Sequence, residues 1–173
     1  MLENTTLLLL PWMHVPDAGD GPAWIRRITE ASGAPLGFVR LDGEPRTSWL
    51  SWFRKIRLDV FETEDASHVM SLTRFWGVLS SWEIEDAESR HVGNLYAKTL
   101  VSSDNERLGY LEPQTFDQGR VLDPSGNVMA CFAPKSETVV EVVFPTAAPA
   151  NPFLRMLVLG SILTLMPTPR VEG

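Results

Sequence analysis

A chain of 173 residues with a formal net charge of −7, 44% apolar residues and 21% charged ones has the size and composition of one globular domain. That charge argues against a generic nucleic-acid binder, which gains non-specific affinity by neutralising phosphates, and against broad adhesion to anionic lipid. The single cysteine, Cys131, excludes an internal disulfide and any zinc site built from several thiolates, and it fits a reducing compartment.

The chain opens Met1-Leu2-Glu3-Asn4, without a basic stretch, and its apolar run at residues 7–10 is too short for a signal peptide. That run is expected to be a first strand, and the cytoplasm, with association at a membrane surface as an option, the expected location. Residues 13–22, with His14, Pro16, Asp17, Gly19, Asp20 and Gly21, read as a loop.

From there to residue 144 the texture is β. Short stretches rich in branched and aromatic residues fall at 24–29, 36–41, 56–63, 69–74, 78–84, 92–100, 108–112, 120–122, 128–132 and 138–144, with turn formers between them. In residues 57–62 and 81–85 apolar and polar side chains alternate, as on strands with one face inward and one in water. Glu44 to Lys55, which holds Trp49, Leu50, Trp52 and Phe53, fits either a helical turn or a loop.

One pattern repeats. An acid precedes an apolar residue, a small residue, any residue and another apolar one. Glu30 precedes Leu36-Gly37-Phe38-Val39, Asp86 precedes Val92-Gly93-Asn94-Leu95, Asp104 precedes Leu108-Gly109-Tyr110-Leu111, and Asp123 precedes Met129-Ala130-Cys131-Phe132. Physically this is a recurring hairpin whose returning strand opens with a small residue, and it suggests a curled or closed sheet.

After Phe144 a Pro/Ala linker leads to Asn151, a good N-cap, and Pro152, suited to the first helical position. Residues 151–167 then read as one helix, apolar on every side, which must be buried all round by protein or by lipid. About fifteen helical residues span roughly 22 Å against a hydrocarbon core of roughly 30 Å. Arg155, Ser161 and Thr164 count further against a membrane anchor, so a helix covered by the curled sheet is the preferred expectation, with a tail anchor as the alternative.

The stretches Lys55 to Glu62, Leu72-Thr73-Arg74-Phe75-Trp76, Ser81 to Ala87, His91-Val92-Gly93-Asn94-Leu95, Val121 to Gly126 and Asn151 to Met156 resemble the tubby C-terminal-like superfamily. Within it the chain is most similar to phospholipid scramblase-related and LURP-one-related proteins. The resemblance covers about residues 24–167 and rests on the order of hairpins and the terminal helix rather than on a single motif. It implies a mainly β fold: a closed antiparallel β-barrel of hairpins enclosing a hydrophobic C-terminal α-helix. The whole chain, 1–173, is then one domain, with an N-terminal strand and loop (1–23), barrel strands (24–144) and a central helix (151–167).

The resemblance also implies a non-enzymatic domain at a membrane surface, with phospholipid or phosphoinositide head groups, or a protein, as partners. The acidic calcium segment proposed for scramblases does not carry over, because residues 143–150 hold no carboxylate and a hard cation needs several oxygen ligands. Head-group binding by tubby domains uses a Lys/Arg pocket. The nearest candidates here, which do not align with that pocket residue by residue, are Arg54, Lys55 and Arg57, next to Trp49 and Trp52, with Arg26 and Arg27 as a second pair. A soluble module meeting a protein partner through its tryptophans is the rival reading.

No catalytic residue, cofactor or metal is expected. His14, His68 and His91 are scattered, and there is no nucleophile elbow, phosphate loop or dinucleotide fingerprint. Glu83 and Glu85 belong on a solvated strand face if Trp82 and Ile84 point inward. Asp123-Pro124-Ser125-Gly126-Asn127 reads as a hairpin turn, and Cys131 as a small core residue.

Overall fold

The chain is described by a computed structural model at residues 3, 5–16, 23–42, 56–62, 66–75, 81–145, 151–167 and 169. Twelve strands precede one helix: β1 Thr6–Val15, β2 Ala23–Thr29, β3 Pro35–Asp42, β4 Ile56–Glu62, β5 His68–Phe75, β6 Ser81–Asp86 and β7 His91–Tyr96. They continue as β8 Thr99–Ser102, β9 Arg107–Pro113, β10 Gly119–Leu122, β11 Val128–Pro134, β12 Val140–Val143 and α1 Pro152–Leu165. Each strand pairs antiparallel with its chain neighbours, and β1 pairs with β12, so the sheet closes into a barrel.

Period-two alternation decides what faces the lumen. In β6 Trp82 and Ile84 are buried while Glu83 and Glu85 are half-buried on the other face, as the alternation in residues 81–85 predicts. α1 runs inside this wall. Leu157 to Leu163, seven consecutive residues and so about two turns, are all buried. A helix lying on an outer surface would show an exposed face every turn. Asn151 caps α1, its Oδ1 accepting from the Phe153 amide at 2.9 Å. At 14 residues it is about 21 Å long, and no helix among the described residues is long and apolar enough to cross a membrane.

Three sequence expectations change. β1 runs on through Met13, His14 and Val15, placed in a loop from their punctuation. The register shifts between Leu9 and Trp12, so Pro11 sits at a bulge, where a residue without an N–H is tolerated. The stretch 92–100 is two strands, not one, turning at Ala97-Lys98 with Ala97 at φ 54°. No Gly, Pro, Asn or Asp marks that turn. Cys131 is exposed, because Ala130 and Phe132 beside it on β11 take the inward positions.

The repeated hairpin is a real structural unit, with one correction of register. The Glu30 amide donates to Ala34 O at 2.8 Å and the Gly33 amide to Glu30 O at 3.0 Å. The same pair of bonds recurs from Asp86 to Arg90 and back from Ser89, from Ser102 to Glu106 and back from Asn105, and from Asp123 to Asn127 and back from Gly126. The fourth residue has positive φ in every case (Gly33, Ser89, Asn105, Gly126), the geometry of a turn closed by a left-handed bulge residue. In the third unit the opening position is therefore Ser102, not Asp104. Ser102 Oγ accepts the Asp104 and Glu106 amides just as Asp86 Oδ1 accepts those of Glu88 and Arg90.

Candidate functional site

The outer wall of β2 to β5 collects arginines and aromatic rings. Arg27, Phe38, Phe61 and His68 lie opposite one another across the four strands. Phe38 and Phe61 stack at 4.9 Å, Phe61 and His68 meet at 5.4 Å, and the Arg40 guanidinium lies 5.8 Å from the Phe61 ring. The Arg40 guanidinium thus rests against a stacked pair of rings.

The next turn of this wall is a polar network. Arg57 Nε donates to Asp59 Oδ1 at 2.9 Å and its Nη2 to Ser71 Oγ at 2.8 Å. Ser71 Oγ donates to Asp59 Oδ1 at 2.5 Å, so the 2.9 Å contact with His68 has the imidazole Nε2–H as donor. Ser, His and Asp are thus adjacent without forming a hydrolytic triad. A triad histidine uses one ring nitrogen for serine and the other for aspartate. Here Asp59 Oδ1 lies 3.5 Å from the same Nε2 that meets Ser71, and Ser71 is 1% exposed. The arrangement fixes Arg57 on the wall and offers no nucleophile.

Of the residues singled out in the sequence, Arg57 lies on this wall, its side chain 39% exposed and paired with Asp59. Trp49, Trp52, Arg54 and Lys55 lie outside the described residues. Arg26 and Arg27 do not act as a pair: as strand neighbours they point to opposite sides, Arg27 into solvent and Arg26 into the barrel, where it is 7% exposed. Phe38, Arg40 and Phe61 were not singled out. Their signal was present in Leu36-Gly37-Phe38-Val39-Arg40-Leu41, whose alternation sends Phe38 and Arg40 outward together.

Where α1 enters the barrel, a cavity of about 450 Å³ opens between Phe153, Leu154 and Leu157 and the hairpin turns of Asp86–Arg90 and Ser102–Ser103. Arg90 in this lining is paired within its own hairpin turn. Arg90 Nε bonds Asp86 Oδ2 at 2.7 Å and Nη2 bonds Glu88 Oε2 at 2.8 Å. Burial of Asp86 raises its pKa, but the amide and guanidinium of Arg90 and the Glu88 amide outweigh this and hold it below the ordinary value. Among the described residues, no group of three or more His, Cys, Asp or Glu side chains is placed to hold a metal ion.

The chain matches no protein-family model and no curated protein.

Proposed function

We propose that the chain is a non-enzymatic, tubby-like and scramblase-related domain that binds anionic lipid head groups through the outer wall of β2 to β5. The observation that carries this reading is the placing of Arg27, Arg40 and Arg57 on the same outer wall as the stacked Phe38 and Phe61, in an otherwise acidic protein. Arginine suits phosphate because its planar fork donates two parallel hydrogen bonds, and aromatic rings suit the layer between head group and acyl chain. The barrel lumen is occupied by α1, so a lipid head group is met on the outer wall. Arg54 and Lys55 directly precede β4 in sequence and extend the basic stretch.

The test is co-sedimentation with vesicles of neutral phosphatidylcholine alone and with added phosphatidylserine or phosphoinositide. Binding is expected only to the anionic vesicles and to fall about tenfold in Arg27→Glu/Arg40→Glu, and again in Arg54→Glu/Lys55→Glu/Arg57→Glu. Failure of the parent protein to bind any composition would remove this function and favour a protein partner.

A further inference from the structure

The other mouth of the barrel is closed by the end of α1, and a cation is buried there. Arg26 Nε donates to Leu10 O at 2.5 Å, its Nη1 faces the thioether of Met166, and its Cζ lies 5.6 Å from the Trp12 ring centre. Trp12 Nε1 in turn donates to Pro167 O at 3.1 Å. These contacts tie β1, β2 and the end of α1 together, which is a sufficient structural use for two of the five N–H donors of a guanidinium. They leave three donors without a protein acceptor, and the charge without a carboxylate in contact, among the described residues, and Nη2 is not sealed from water. Burial lowers the Arg26 pKa to about 10, so the group is still a cation at neutral pH. A buried charge with no counter-charge is costly unless something else supplies one.

A pocket of about 200 Å³ opens against Arg26, and Trp12, Phe116, Asp117 and Glu137 line it too. Its volume is roughly seven times the share of one water molecule, enough for a ligand of amino-acid size. The sign of the lining selects among ligands. A plain anion gains at Arg26 and is repelled by Asp117 and Glu137, and a plain cation meets the reverse. The geometry points to this pocket as a binding site for a small zwitterion, its anionic group in the Arg26 fork and its cationic group toward Asp117 and Glu137. The exposed Phe116 ring, at the same opening, offers a cation a further favourable face. The site is on the inner side of β2 and is independent of the lipid-binding wall outside.

The experiment follows the Trp12 indole N–H resonance, assigned with Trp12→Phe, in the full chain. The titrants are ω-amino carboxylates from glycine to 6-aminohexanoate, with acetate and propylamine as the two half-ligands. One chain length is expected to saturate at a Kd at least about tenfold below that of either half. Arg26→Met is expected to abolish the saturable shift, and Arg26→Lys, which keeps the charge and loses the fork, to weaken it. Asp117→Asn/Glu137→Gln, on the outer edge, should keep the fold and bring acetate level with the zwitterion. The proposal is overturned if the parent protein shows no saturable shift with any titrant, if acetate binds it as well as every zwitterion, or if the outer-edge variant keeps the parent's preference. Should Arg26→Met fail to fold, the outer-edge variant decides alone.

Discussion

Gly160 of α1 and Ile84 of β6 approach so closely that a Cβ on Gly160 would stand 2.9 Å from Ile84 Cδ1. Leu72 Cδ2 is as close on the neighbouring strand, so the helix passes these two side chains on a residue with none of its own. Gly160→Ala is expected to be nearly neutral. The two contacts are ends of flexible side chains, and alanine recovers about 1 kcal/mol of helix propensity. Gly160→Leu adds bulk to a close-packed interior and is expected to cost about 3 kcal/mol. Urea midpoints of the two variants check the contrast.

The glycines that open returning strands meet backbone, not side-chain ends. A Cβ on Gly93 would collide with the Val101 carbonyl oxygen, and one on Gly109 with that of Leu122. Gly93→Ala and Gly109→Ala are each expected to destabilise by about 2–3 kcal/mol, the upper part of the range for overpacking. Gly33 has open space around it but a φ of +89°, so Gly33→Ala is expected to cost only the left-handed penalty of about 1 kcal/mol. Thermal melts of the three variants should fall in that order.

Asp86 links stability to pH. Its carboxylate, buried but more strongly favoured by hydrogen bonds and by Arg90, has a pKa below its ordinary 3.8 in the folded chain. A depressed folded pKa contributes stability that is present above the unfolded value and lost as pH falls through the folded one. Asp86→Asn is therefore expected to lower Tm at pH 7, with the gap to the parent closing as pH drops below about 3.8. A gap that widened on acidification would contradict this account. Asp123, held down first by the side chain of Asn127, acts in the same direction from an exposed turn.

Cys131 is expected to react with a maleimide in the native state at the rate of an exposed thiol, without a change in circular dichroism. Protection until denaturant is added would return it to the core.

How far these features could be read in the chain depends on whether a local pattern carried them. α1 was legible because Asn151-Pro152 and Pro167 punctuate an uninterrupted apolar run, and its observed span, Pro152–Leu165, lies within 151–167. Alternation places Trp82, Ile84, Glu83 and Glu85 correctly, and it also sends Cys131 outward, against the burial that its small size suggests. The turn at Ala97-Lys98 has no residue that favours positive φ, so nothing local announces it. In the third unit Asp104 reads as the opener because it is an acid, whereas the spacing points to Ser102. Counted from the opening residue, the small residue is seven positions on in every unit: Gly37, Gly93, Gly109 and Ala130. The candidate wall was legible only in part, since Arg57 reached it through its own strand while Phe38 and Arg40 depend on pairing with β4.

The seam between β1 and β12 has a consequence for synthesis. Thr6 pairs with Val143, and the Trp12 indole waits for the carbonyl of Pro167. A ribosome that has made β1 through β11 has made a curved sheet with two unpaired edges and an unfilled apolar interior. Neither edge is satisfied, and the lumen stays exposed, until β12 and then α1 leave the exit tunnel. Folding of this barrel is thus a late event in the life of the nascent chain, slow in proportion to the length of the loops it must close.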